Sequence, residues 1–161
     1  NFASQLILQS LKLKPDAAMN VSYKGGSEAV VAVLAKEVDF SCGNLTSALT
    51  QINSGKLRAL VVTTPERVKE IPTVPTAKEV GMPQLEAIVG WSALYGPPKM
   101  SPEIVNKWVE VLGIADKDAN WQAGNVRYGG IPRILSPMDT EKFAVSQYVT
   151  YSKLSSQLGI K

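Results

Sequence analysis

The stretch LRALVVTT, Leu57 to Thr64, decides the fold class. It is nearly continuous apolar and ends in β-branched residues. That pattern reads as a strand covered on both faces, the position strands take in a parallel sheet. Working backward, Gly55 stops a helix that Asn44 caps and that runs to about Ile52. Val38–Cys42 reads as a short buried strand. Ala29–Lys36 reads as a helix with Ser27 at the N-cap and Glu28 in its first turn, both suited to the positive end of the helix dipole. Met19–Tyr23 reads as another strand. The order strand-helix-strand-helix-strand, with short links, predicts an α/β fold with a largely parallel sheet flanked by helices. Ahead of it, Leu6, Ile7, Leu8 and Leu11 fit a helix ending before Pro15.

Working forward, Pro65–Pro75 reads as a loop. Thr76 and Glu79 form a capping box for a single helical turn that Gly81 ends. Ala87–Tyr95 reads as a strand. Ser101-Pro102-Glu103 opens a helix with Pro at its first position, and Ile104, Trp108, Val111 and Leu112 give it an apolar face. A further helix is expected over 119–126 and a short strand over Ile131–Leu135. Ser136-Pro137-Met138-Asp139 starts the longest helix, with Phe143, Tyr148, Tyr151, Leu154 and Leu158 facing inward and Gly159 closing it.

The composition narrows the chemistry. The 161 residues are 45% hydrophobic and 19% charged, enough for a core and without the signature of disorder. No apolar run approaches the about 18 residues of a membrane span. The net charge of +3 is scattered along the chain, so no nucleic-acid partner is expected. Histidine is absent and Cys42 is the one cysteine. This removes histidine-based nucleophile systems, multi-cysteine metal sites and an internal disulfide. No metal, cofactor or catalytic residue is expected, and the chain is read as not an enzyme. It begins at Asn1 rather than Met, so it is expected to be processed, engineered or a fragment, with any export signal already gone.

Two stretches carry the functional reading. Tyr23-Lys24-Gly25-Gly26-Ser27 joins a predicted strand to a helix N-terminus, where free N–H groups and the dipole favour an anion. It is not a phosphate-binding P-loop, because no G-K-[ST] ending follows. Cys42-Gly43-Asn44-Leu45 makes a second such junction. A parallel sheet puts both on one edge, where ligands bind in open α/β sheets. Each also reads as an ordinary turn: the first as a plain strand-to-helix link, the second as a plain N-cap. Cys42 reads as a small buried residue. Arg67 and Lys69 read as solvated loop charges or as groups that steer an anion. Trp91, Trp108 and Trp121 read as core.

In order and spacing the chain resembles a known family. Tyr23-Lys24-Gly25-Gly26, Val38-Asp39-Phe40, Gly43-Asn44 and Gly55-Lys56-Leu57-Arg58-Ala59-Leu60 carry the likeness first. Arg67, Pro72-Thr73-Val74-Pro75-Thr76, Glu79-Val80-Gly81, Gly96-Pro97-Pro98 and Pro102-Glu103-Ile104-Val105 continue it. The family is that of the substrate-binding receptors of tripartite tricarboxylate transporters, the Bug-type periplasmic binding proteins. The resemblance implies a type II-like periplasmic-binding-protein lobe plus a partial second lobe. Residues 1–85 would be the ligand-binding lobe two, 86–135 the segments returning to lobe one, and 136–161 the C-terminal helix. It implies capture of a small carboxylate in the periplasm and delivery to a membrane permease of one large and one small subunit. Tyr23, Gly25, Gly26, Ser27 and Asn44 are the expected ligand-binding residues. Asn1 corresponds to a ligand-facing polar position, and Phe2 stands where many relatives place a polar residue.

Family members are about twice as long. The chain is therefore expected to lack the N-terminal half of lobe one and to leave apolar surface in search of a partner, through dimerisation or a domain swap. The alternative function is a truncated lobe serving as a protein-interaction or sensory module. A third reading, an enzyme acting on an acyl or phosphoryl anion at the YKGGS loop, is the weakest of the three.

Overall fold

The structure is a computed structural model and describes residues 2–159. The chain forms two compact units. One runs to Gly90 and takes in the chain again from Leu154; the other is Trp91–Lys153.

In the first unit, helix α1 is Phe2–Ser10, α2 is Gly26–Leu34 and α3 is Leu45–Asn53, and a 3₁₀ helix spans Pro83–Ala87. α1 buries Leu6 and Leu8 and packs on the 3₁₀ helix, while Leu11 stays exposed. Leu6, Ala77 and Leu85 form one core cluster, with Val61, Met82, Leu154 and Leu158 packed around it. Leu49, Ile71 and Val74 form a second, joined by Leu45, Ile52, Ala59 and Val62. The loop read over Pro65–Pro75 is thus structural, because it carries two of the three buried residues of the second cluster.

The predicted strands are the main correction. Among the described residues no strand is assigned, and the one β contact is an isolated parallel bridge between Val62 and Thr76. It is made by Val62 N–H to Pro75 O at 3.0 Å and Ala77 N–H to Val62 O at 2.8 Å. The deciding stretch explains why. In a strand, residues two apart share a face. Here Ala59 packs on the second cluster and Val61 on the first. The run is apolar because it passes between two clusters, and it meets them without strict alternation. Leu60 stays 62% exposed, and Met19, in another predicted strand, 90%. Neither has the two-sided cover that the pattern predicted.

Helix punctuation was read well. Thr76 and Glu79 bond reciprocally, Glu79 N–H to Thr76 Oγ1 at 3.2 Å and Thr76 N–H to Glu79 Oε2 at 2.7 Å. Gly81 then adopts φ +77°, with Met82 N–H on Ala77 O and Gly81 N–H on Lys78 O, a Schellman stop. Gly55, at φ +73°, ends α3 in the same way.

In the second unit α4 is Pro102–Lys117, α5 is Ala119–Arg127 and α6, Pro137–Leu158, begins. Ser101 caps α4 by accepting from Ile104 N–H, and Asp118 caps α5 by accepting from Trp121 N–H at 2.7 Å. The apolar face of α4 forms but is not covered: Ile104, Trp108 and Val111 are exposed and none of its residues is buried. Trp91 meets Phe143 edge-on, with centroids 5.4 Å apart, yet none of the three tryptophans is buried. Tyr148, expected to face inward, is 75% exposed, whereas Phe143 packs on Trp91 in this unit and Leu154 and Leu158 pack within the first.

Candidate functional site

The YKGGS loop ends in α2, whose N-cap is Gly25 rather than Ser27. Ser27 lies inside the first turn. The helix begins earlier than expected because Gly25, at φ −159° and ψ 166°, already accepts from Ala29 N–H at 3.3 Å. No side chain caps this end. The main-chain N–H groups of Gly26, Ser27 and Glu28 therefore have no helical acceptor, as at any helix start. Glu28 folds back, and its Oε2 accepts from Lys24 N–H at 3.0 Å. Tyr23 is half-buried beside the loop.

α3 starts alongside. Asn44 is its N-cap, as expected, but its side chain makes no capping bond. The carboxamide is turned elsewhere: a Cβ placed on Gly90 would overlap it. Gly26 approaches the first turn of α3 just as closely, since a Cβ there would sit 2.5 Å from Ser47 Oγ and 3.0 Å from Ser47 Cβ. Gly25 and Gly43 differ, having nothing within 4 Å of an added Cβ. The pattern has a chemical meaning. Gly26 and Gly90 are needed for close packing inside the protein, while Gly25 and Gly43 leave bare backbone facing open space.

The structure thus brings Tyr23, Gly25, Gly26, Ser27 and Asn44 to one place, where α2 and α3 pack together and present adjacent N-termini. α1 reaches the same region through Ser4, whose Oγ lies 3.9 Å from Cys42 Sγ. Asn1 lies outside the described residues. Cys42 is exposed, not buried, because its segment is not held in a sheet. Ser47, Gly90 and the bond from Lys24 N–H to Glu28 were missed. Gly90 carried a signal, since a lone glycine in a strand-like run marks a close backbone approach.

Arg67 is committed elsewhere. Its Nε and Nη2 donate to the Glu79 carboxylate at 2.9–3.1 Å, and its Nη1 donates to Pro72 O at 3.1 Å. The fork holds Glu79 well below the usual carboxylate range, at about 2, with help from Thr76 N–H. Arg67 is a brace for the capping box and not an anion-steering group. An open cavity of about 480 Å³ lies by Ile52, Arg58, Leu60, Thr73 and Pro75, toward the C-terminal end of α3 and so away from the glycine loops. Among the described residues no cluster of three or more His, Cys, Asp or Glu is arranged to hold a metal. No helix there is long and apolar enough to cross a membrane.

The chain has relatives. BugT of Bordetella pertussis is 28% identical over 159 residues, covering 98% of this chain and 48% of that protein. A protein from the TAR-I ttuE–ttuC′ intergenic region of Agrobacterium vitis is 35% identical over 98 residues, 61% of this chain and 28% of that one. The chain spans about half, or less, of the length of these curated relatives. The solved structure of R. palustris Rpa4515 with adipate matches with a TM-score of 0.83 at 20% identity, over 98% of this chain and 52% of that one. At that identity the likeness shows the fold, which is α/β in class. Neither the fold nor the relatives lend support to the expected dimer or domain swap. The profile described as tripartite tricarboxylate transporter family receptor matches residues 3–158, and the chain belongs to that family.

Proposed function

We propose that this chain is the ligand-binding part of an extracytoplasmic, periplasmic solute receptor that captures a small carboxylate for a tripartite tricarboxylate-type permease. The observation that carries the reading is the pairing of two helix N-termini, with Gly26 on Ser47 and Asn44 on Gly90. Unpaired N–H groups of the α2 first turn supply donors for a carboxylate. Gly25 lets the ligand approach the backbone, Asn44 and Ser27 add polar side-chain contacts, and Tyr23 lines the edge. Asn1 completes the set. Residues 1–85 serve as the ligand lobe, 86–135 as the part that returns to the other lobe, and 136–161 as the closing helix. No bond is made or broken. The adipate in the solved relative is consistent with a carboxylate here.

Titration calorimetry with di- and tricarboxylates tests this, with oligomeric state measured on the same sample. Saturable binding is expected, with a Kd on the order of micromolar, about −8 kcal/mol. Gly25→Ala and Gly26→Ala separate ligand from packing. Gly25→Ala has room and should leave stability within about 1 kcal/mol while weakening binding about tenfold or more. Gly26→Ala meets Ser47 and should cost about 1–3 kcal/mol of stability. A well-folded chain that binds none of the panel sinks the reading. The uncovered face of α4 favours a second reading, an interaction module, for which ligand-independent capture of a defined protein partner through Ile104 and Trp108 is the test.

A further inference from the structure

The cavity of about 480 Å³ in the first unit lies away from the glycine loops, and the receptor reading gives it no role. It sits at a break in main-chain pairing. Val62 and Thr76 form a parallel bridge, with Val62 N–H on Pro75 O and Ala77 N–H on Val62 O. The next rung of a parallel ladder would run from the amide of residue 75 to Leu60 O. Proline has no N–H, so the ladder stops there. Arg58, Ala59 and Leu60 make no hydrogen bond to any described residue. This unpaired run and residues 73–75 both line the cavity.

The lining combines an apolar wall with one kind of charge. Ile52, Ala59 and Val74 supply the wall, and Leu60 adds a large apolar side chain that is 62% exposed. Arg58 is the one charged residue of the lining, and no carboxylate is among it. Its neighbour Arg67 is held by Glu79, whereas Arg58 belongs to no ion pair among the described residues. The last carbonyls of α3 would repel an anion here if they were bare. They are not: Thr50, Gln51 and Ile52 O accept from the amides of Ser54, Gly55, Lys56 and Leu57.

We propose that this cavity is a second binding site, for a small amphipathic monocarboxylate with an aliphatic tail. The tail lies on Ile52, Ala59 and Val74. The carboxylate takes the Arg58 guanidinium, with the Thr73 hydroxyl and the unpaired Leu60 amide as further donors. The volume is that of a small-molecule site, and an apolar wall with few polar groups is its usual make-up. A short dicarboxylate, the class proposed for the glycine loops, has no tail to lay on this wall. The inference therefore stands apart from the receptor reading.

The test is amide-resolved NMR titration of the whole chain with butyrate, hexanoate, octanoate and succinate. Octanoate should shift the amides of Ile52, Ala59, Leu60 and Val74 and leave those of Gly25 and Ser27 in place. It should bind about tenfold or more tighter than butyrate, since its four extra methylenes have apolar wall to cover. Arg58→Gln should weaken octanoate about fivefold. Leu60→Asp, which puts a negative charge at an exposed position, should weaken it at least as much. Circular dichroism confirms that both variants are folded. The inference is overturned if octanoate moves no cavity amide, if butyrate or succinate moves them with equal affinity, or if both folded variants bind octanoate as the wild type does. All three results leave the receptor reading standing, because that reading is tested by dicarboxylate binding at Gly25 and Ser27.

Discussion

Glu79 does three jobs with one carboxylate. It closes the capping box on Thr76 N–H, receives the forked guanidinium of Arg67, and through that fork ties the turn to Pro72 O. Its acidity is raised first by the Arg67 bonds and then by Thr76, to a pKa of about 2 from an ordinary 4.5. The folded form therefore binds its proton less readily than the unfolded chain. The stabilisation is fully present above about pH 4.5 and is lost as pH falls toward about 2. Glu79→Gln should be less stable at neutral pH and should show a flatter loss of stability across that window, read by denaturant melts at stepped pH. The capping box was legible, because its two members stand three apart. Arg67 was not. Its partner lies twelve residues on, and no local pattern reports a contact made by the return of a loop.

The helices followed their caps. Ser101 and Thr76 accept where their types and spacing said they would, Asp118 adds a cap that was not read, and Gly55, Gly81 and Gly159 stop at positive φ. α2 is the instructive exception. It ends at Leu34, and Lys36 takes the left-handed position at φ +61°, with Glu37 N–H on Ala32 O. A lysine there gives no sequence signal, so the helix was read through it. The same geometry predicts that Lys36→Gly stabilises the protein by about 1 kcal/mol, measured by thermal or urea melts, since glycine adopts this conformation without the Cβ penalty. The strands were read from apolar content. That signal reports cover and does not report pairing, and Ala59 and Val61 show the difference: both are sheltered, in separate clusters.

Shelter is unevenly shared across the whole molecule. Among the described residues, every buried one belongs to the first unit, from Leu6 to Leu85, and α4, α5 and α6 contain none. Local stability follows buried apolar contact. Amide exchange should therefore be slowest around Leu49, Ala77 and Leu85 and markedly faster through α4 and α5. Leu85→Ala should cost about 2–5 kcal/mol, whereas Ile114→Ala, at a 63% exposed position, should change stability by no more than about 0.5 kcal/mol. Uniform protection of both units would contradict this.

The gathering of the glycine loops has a practical consequence. Cys42 is the sole thiol in the sequence, stands in the open, and lies two residues before Asn44 and within reach of Ser4. A maleimide dye would therefore attach at one place, beside the loops that the receptor reading assigns to the ligand. The native chain is thus suited, without any added cysteine, to become a fluorescent sensor of its own occupancy.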